Sequence, residues 1–162
     1  MRHCISALVQ NHSGVLARVS GLFSARAYNI ESLAVGTTLD PEYSRMTIVV
    51  SGDDQVLDQV VKQLAKLVEV VKVDDLKPET SVLRELALVK VKAEGAHRLE
   101  MFEISNVFRA KVVDVSAGSL SVEVTGTHDK VEAFLELAKP HGILEIVRTG
   151  VAGLSRGTGT LS

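Results

Sequence analysis

Twice in this chain the spacing of apolar residues switches between two periods in the same order, and few folds accept that order. Residues 3–9 form a short apolar stretch that ends at Gln10-Asn11-His12-Ser13-Gly14, a strand running into a loop. Val15, Leu16, Val19, Leu22 and Phe23 then fall on one helical face, with Ser13 placed to cap the helix and Tyr28-Asn29 to turn the corner beyond it. Residues 30–39 suit a strand, Asp40-Pro41-Glu42-Tyr43 a turn, and Met46, Ile48 and Val50 alternate along a further strand. Gly52-Asp53-Asp54 opens a second helix with the stripe Leu57, Val60, Val61, Leu64 and Leu67, and residues 68–73 make a fourth strand.

The second half repeats the order. Residues 84–92 read as a strand. Residues 95–108 read as a helix with Leu99 and Phe102 on one face, although Ile104 and Val107 do not align with them. Residues 111–115 are a strand, and Leu120, Val122 and Val124, alternating with Ser121, Glu123 and Thr125, give the cleanest two-residue period in the sequence. Val131, Phe134, Leu135 and Ala138 make a helix stopped by Pro140 and Gly142, and residues 143–148 the last strand. Each half is β-α-β-β-α-β, so the expected fold is α+β: two tandem ferredoxin-like βαββαβ domains. The polar, proline-bearing stretch after Asp75 sets the expected boundaries at 1–76, a linker 77–82, and a second domain 83–150. The tail 151–162, rich in Gly, Ser and Thr, is expected to be flexible.

Charge and composition narrow the function. Lys plus Arg total 18 and Asp plus Glu 20. Residues 1–76 hold 7 basic and 9 acidic groups, and residues 77–162 hold 11 of each. No basic stripe marks a nucleic-acid surface. The longest apolar run is the four residues from Leu86 to Val89, far short of the roughly 20 that span a membrane, and no secretory leader is visible. Cys4 is the one cysteine, which suits a reducing cytoplasm and excludes an intrachain disulfide.

No catalytic constellation is evident. His3, His12, His97, His128 and His141 are scattered without metal-ligand spacing, so no metal site is expected, and no nucleophile, base and orienting group assemble. Binding chemistry is better supported. The turn Asn11-His12-Ser13-Gly14-Val15-Leu16 presents the unpaired N–H groups of a helix start, which suit a carboxylate, and Gly14 lets an anion approach the backbone. Asn11 and Asn29 offer amide oxygens to an ammonium group, with Val15, Leu16 and Ile30 as aliphatic neighbours. That set fits a small apolar amino acid; the same residue types also serve as an ordinary cap and turn. Residues 30–39 carry little charge and are expected at a sheet edge, where two copies of the chain could pair.

The run from Asn11 through Phe23, Tyr28-Asn29-Ile30-Glu31-Ser32-Leu33, Ser44-Arg45-Met46-Thr47-Ile48, Arg84-Glu85-Leu86 with Leu88-Val89-Lys90-Val91, and the tail from Arg148 to Gly157 closely resemble the small subunit of acetohydroxyacid synthase (acetolactate synthase), an ACT-domain family. The resemblance covers essentially the whole chain. It implies a non-catalytic regulatory subunit of branched-chain amino-acid biosynthesis that binds and activates the catalytic (large) subunit. It also implies feedback inhibition by valine held between two ACT domains of a homodimer. By position the effector residues are Asn11, Gly14, Val15 and Leu16 of one chain, with Ser13 in the same loop, and Asn29 and Ile30 of the other. The chain has no cofactor of its own by this resemblance; thiamine diphosphate, Mg²⁺ and FAD belong to the catalytic subunit. His12-Ser13 and Gln10 stand where the family often has acidic residues or Pro, and Ala27 where it often has Gly. The residues taken alone also allow a stand-alone tandem ACT-type amino-acid sensor acting on another enzyme or regulator.

Overall fold

The computed structural model describes residues 1–161. The chain divides into two compact units, residues 1–83 with the chain from Val151 onward, and residues 84–150. The first unit contains β1 (Arg2–Gln10), α1 (Val15–Ala25), β2 (Ile30–Thr37), β3 (Tyr43–Ser51), α2 (Asp54–Ala65) and β4 (Val70–Asp75). Its antiparallel sheet has the order β2-β3-β1-β4. A 3₁₀ turn (Pro78–Thr80) leads to β5 (Ser81–Lys92), which continues into the second unit. There α3 (Ala96–Val107), β6 (Lys111–Val115), β7 (Ser119–Gly126), α4 (His128–Ala138), a 3₁₀ turn (Lys139–His141) and β8 (Ile143–Arg148) follow, and the sheet order is β6-β7-β5-β8. The two orders are equivalent, so the expected tandem ferredoxin-like fold is the observed one.

The strand period decides which residues meet the helices. In the first unit Ile5, Ala7 and Val9 of β1 and Met46, Ile48 and Val50 of β3 face Val19 and Phe23 of α1 and Val60 and Leu64 of α2. In the second, Val89 and Val91, Val122 and Val124, Met101 and Phe134 do the same. Leu99 and Phe102, expected on one face, part company: Leu99 is 66% exposed and Phe102 packs half-buried on the core, while Met101 and Ser105 are the buried residues of α3. Ser105 can occupy a core position because its Oγ donates to the Met101 carbonyl (2.7 Å) inside the helix.

The helices repeat as well. Gly14 and Gly95, both at positive φ, open α1 and α3 without a side-chain cap, whereas Asp53 and Thr127 cap α2 and α4 by accepting from Val56 and Lys130 N–H. Gly14, not Ser13, is therefore the N-cap of α1. The first helix of each unit also closes with a six-to-one bond. Tyr28 N–H donates to Phe23 O and Ala110 N–H to Ser105 O, with Ala27 (φ 56°) and Arg109 (φ 53°) in the left-handed conformation between.

The tail is ordered, against the expectation of a flexible segment. β9 (Ala152–Ser155) pairs with β5. Val151 is 5% exposed and joins Cys4, Val49 and Leu76 in a cluster on the face of the first sheet turned away from the helices. Val151 N–H donates to Ser32 Oγ (2.8 Å), Gly153 N–H to Thr47 Oγ1 (3.3 Å) and Arg156 N–H to Thr80 O (2.8 Å). A Cβ on Gly153 would stand 2.5 Å from Leu83 Cδ2 and 2.9 Å from Leu76 Cδ1, so its missing side chain is what permits the close approach. Few apolar pegs and a ladder of backbone donors hold a segment whose composition alone suggests mobility.

Two outcomes are expected. Burial, with Asp75 adding repulsion, pushes the Cys4 thiol up to about 11. Ending the chain at Gly150 uncovers this face, and labelling by a thiol reagent at mildly alkaline pH then accelerates by an order of magnitude or more, about the change expected on exposing a buried thiol. Separately, Ala27→Gly relieves a left-handed alanine and raises stability by about 1 kcal/mol, read from urea denaturation.

Candidate functional site

The loop between β1 and α1 is fastened before it reaches the helix. Asn11 N–H donates to Glu42 O and Asn11 Nδ2 to Pro41 O, both at 2.8 Å, so the loop is tied to the β2–β3 turn. One Nδ2 hydrogen is thereby committed, and Oδ1, with no partner among the described residues, stays available as an acceptor. The His12 ring lies between Gln10 Oε1 (3.0 Å) and Ser13 O (3.2 Å).

Gly14 then turns the chain at φ 90°, ψ −15°. Val15 is buried and pins the helix start to the core, while Leu16 beside it is 46% exposed. Val15 N–H donates to His12 O (3.5 Å), and with no side-chain oxygen at the cap the Leu16 and Ala17 N–H groups stand at the positive end of the helix dipole. A Cβ on Gly14 would meet nothing within 4 Å, so the space above this turn is open. One turn on, Arg18 pairs with Glu69 at 3.4 Å, the same carboxylate whose Oε2 is buried without a hydrogen bond.

Asn29 and Ile30 lie elsewhere. Asn29 is exposed beyond the left-handed Ala27, and Ile30 packs half-buried against the core at the start of β2. The register separates them from the loop: Gln10 lies opposite Tyr43 at one end of β3, and Ile30 opposite Val50 near the other. Seven residues of strand, about 23 Å at roughly 3.3 Å each, lie between. Within one chain the structure therefore brings Asn11, Ser13, Gly14, Val15 and Leu16 together and does not bring Asn29 and Ile30 to them.

Two further clusters escaped the spacing argument because their members are far apart in sequence. His97, Glu100 and His141 converge in the second unit, although no sequence interval joins them as ligands. Arg148 donates to the buried Glu85, to Glu132 Oε1 (2.6 Å) and to His128 Nδ1 (3.1 Å). The Arg148 hydrogen bond holds the Glu132 carboxyl below its usual range. No helix among the described residues is long and apolar enough to cross a membrane.

Two βαββαβ units in tandem, the first with an uncapped helix start over an anchored loop, define a protein of the ACT type. Residues 5–72 match the family described as an AHAS small subunit-like ACT domain, and residues 84–157 the family described as the small subunit of acetolactate synthase. The chain belongs to the acetolactate synthase small-subunit family. It is 54% identical over 157 residues to a protein of Archaeoglobus fulgidus named "Probable acetolactate synthase small subunit", covering 97% of this chain and 98% of that one. It is 54% identical over 155 residues to the acetolactate synthase small subunit of Mycolicibacterium smegmatis, covering 96% and 91%. The crystal structure of the acetolactate synthase small subunit from Thermotoga maritima superposes with a TM-score of 0.89 at 42% identity, covering 98% of this chain and 99% of that one.

The Arg148 cluster carries a stability prediction. Arg148→Met leaves the Glu85 carboxylate buried without its cation and is expected to cost about 3 kcal/mol in urea unfolding. Because the folded-state Glu132 carboxyl sits low, its contribution is present above the ordinary carboxylate range and fades as pH falls through it. The stability cost of Arg148→Met should therefore shrink as pH falls through and below that range.

Proposed function

We propose that this chain is the non-catalytic, regulatory subunit of an acetolactate synthase. It docks on the catalytic subunit and raises its activity. Valine, or another branched-chain amino acid, bound between two copies of the first unit, lowers that activity. Thiamine diphosphate, Mg²⁺ and FAD stay with the catalytic subunit, and the complex works in the cytoplasm.

The observation that carries this reading is the uncapped start of α1 at Gly14, beside an Asn11 side chain that Nδ2 fastens to the β2–β3 turn and whose Oδ1 stays open. A zwitterion places its carboxylate on the first-turn N–H groups and its ammonium against Asn11 Oδ1, with its aliphatic side chain against Leu16. The separation of Asn29 from this loop supports a second copy in the site. β2 is a sheet edge, with Thr37 opposite Ser44 and Ser44 opposite Val9. Antiparallel pairing of two β2 edges brings the Asn29 end of one chain toward the Thr37 end of the other, the end of the sheet where β1 runs into the Asn11–Gly14 loop. The partner's Asn29 and the partner's Ile30 then complete the cleft.

Binding that spans two copies changes their relative placement, and the catalytic subunit senses that change through linkage. Couplings of this kind are typically about 1–3 kcal/mol, and a catalytic state disfavoured by valine must itself weaken valine binding.

Calorimetry with valine on the full chain tests the cleft. Gly14→Ala and Gly14→Asp share the strain of a side chain at positive φ, and only the second adds a carboxylate opposite the ligand's own. Gly14→Ala should weaken binding by a few-fold, whereas Gly14→Asp should lose at least about a further tenfold, the scale of a like-charge penalty near 1.4 kcal/mol. Equal binding by the parent and Gly14→Asp would overturn the cleft. Mixing with the catalytic subunit, with and without valine, tests the regulatory role separately.

A further inference from the structure

In the second unit α3 sets His97 and Glu100 one turn apart on the same face. The 3₁₀ turn Lys139–His141 brings His141 up to them. The two imidazoles meet edge to face with centroids 4.9 Å apart, and His97 Nδ1 lies 2.7 Å from His141 Nδ1. On its other side His141 Nε2 lies 3.5 Å from Glu100 Oε2. One ligand atom from each of the three residues can be chosen so that all lie within 4.8 Å of one another.

The surroundings favour a cation. The His141 side chain is 9% exposed, which weakens competition from water for its lone pair, while His97 and Glu100 are exposed and free to adjust. The neighbouring positive groups are turned away. Arg98 is committed to the carbonyls of Ala93, Ser116 and Ala117, and Lys139 to Glu136. Two imidazole nitrogens and a carboxylate oxygen are the donor set of borderline divalent transition ions; Mg²⁺ and Ca²⁺ prefer oxygen throughout.

We propose that His97, Glu100 and His141 form a binding site for a divalent transition ion of the zinc class. Three protein ligands leave one position for water. Ligand atoms of a tetrahedral zinc stand about 3.3 Å apart for bonds of roughly 2.0–2.1 Å. Hence on binding the two Nδ1 atoms separate by about half an ångström through rotation of the exposed His97 side chain, and the exposed Glu100 carboxylate swings from the Nε2 side of His141 toward them. The ion takes the place of the hydrogen bond between the two rings, whose N–H groups move to the Nε2 positions; because ligation needs neutral imidazoles, loading weakens at acid pH. Once bound, it clamps α3 to the turn that precedes β8. The site lies outside the residues assigned to valine and does not depend on that assignment.

The test uses the full chain, stripped with a chelator and titrated with zinc sulfate by calorimetry at neutral pH. About one ion per chain is expected. His97→Ala and His141→Ala should each lower affinity by about 30-fold or more, and Glu100→Gln by about tenfold. Magnesium chloride should give no heat. Imidazole nitrogen NMR of the parent protein supplies a readout that needs no variant: zinc should shift the ring signals of His97 and His141 and leave those of His12 and His128 in place. Absence of zinc heat and of ring shifts overturns the proposal, and so does zinc binding of undiminished affinity in both folded histidine variants. The latter places the ion elsewhere; the former leaves the pair as a hydrogen-bonded contact only.

Discussion

A strand buried on both faces needs cover on both, and β1 is such a strand. From His3 to Val9 every residue is buried. Ile5, Ala7 and Val9 are covered by α1 and α2, and Cys4 by Leu76 and Val151, which reach the first sheet from the chain before and after the second unit. The first unit is thus closed by residues that follow the second in sequence, which is why the chain divides as residues 1–83 with the segment from Val151, and not at a simple linker. The segment from Val151 belongs with the first unit because a folding unit follows apolar area removed from water.

The repeated halves place their conformational strain at equivalent points. α1 and α3 each begin at a positive-φ glycine and end through a left-handed residue, and their partner helices are capped by ordinary side chains. Left-handed alanine and arginine cost stability, on the order of 1–2 kcal/mol each. The six-to-one bonds that they close satisfy otherwise orphaned carbonyls and turn the chain sharply into the following strand. At the other end, a glycine cap leaves donors outward. In the first unit this coincides with a loop already fixed by Asn11, so the donors beyond Val15 N–H, which bonds His12 O, are held in place without a side-chain cap. That combination of a rigid frame and unspent hydrogen-bonding capacity is what a small zwitterion requires.

Much of this was legible in the spacing of apolar residues. The two-residue alternation of Leu120, Val122 and Val124 and the helical stripe of Val15, Val19, Leu22 and Phe23 correspond to buried faces because burial itself imposes those periods. Where the period was blurred, the cause is a polar residue satisfied locally: Ser105 donates within its own helix and takes a core position that a hydrophobicity pattern reserves for a Leu. The tail was illegible because its order comes from backbone donors meeting Ser32 and Thr47 hydroxyls, and a side-chain pattern does not record backbone hydrogen bonds. His97 and His141 were illegible as a pair because only the fold sets the turn after α4 against α3. The loop residues Asn11 and Gly14 were visible through local chemistry, but the position of Asn29 at the far end of the sheet was not.

That last separation shapes how the proposed effector site must behave. A cleft contained in one chain would bind its ligand at any protein concentration. A cleft whose two halves lie at opposite ends of the same sheet exists only when two copies pair, so ligand binding and pairing strengthen each other by mass action. In the proposed dimer an edge strand with little charge, a loop at one end and an amide at the other, related to their copies by a two-fold axis, would give two equivalent clefts from one interface. Since each cleft reports on the placement of both chains, an effector that fits it can act on a distant catalytic partner without touching it. Such a regulator needs no reactive group of its own, only an interface whose geometry the ligand and the partner both prefer to set.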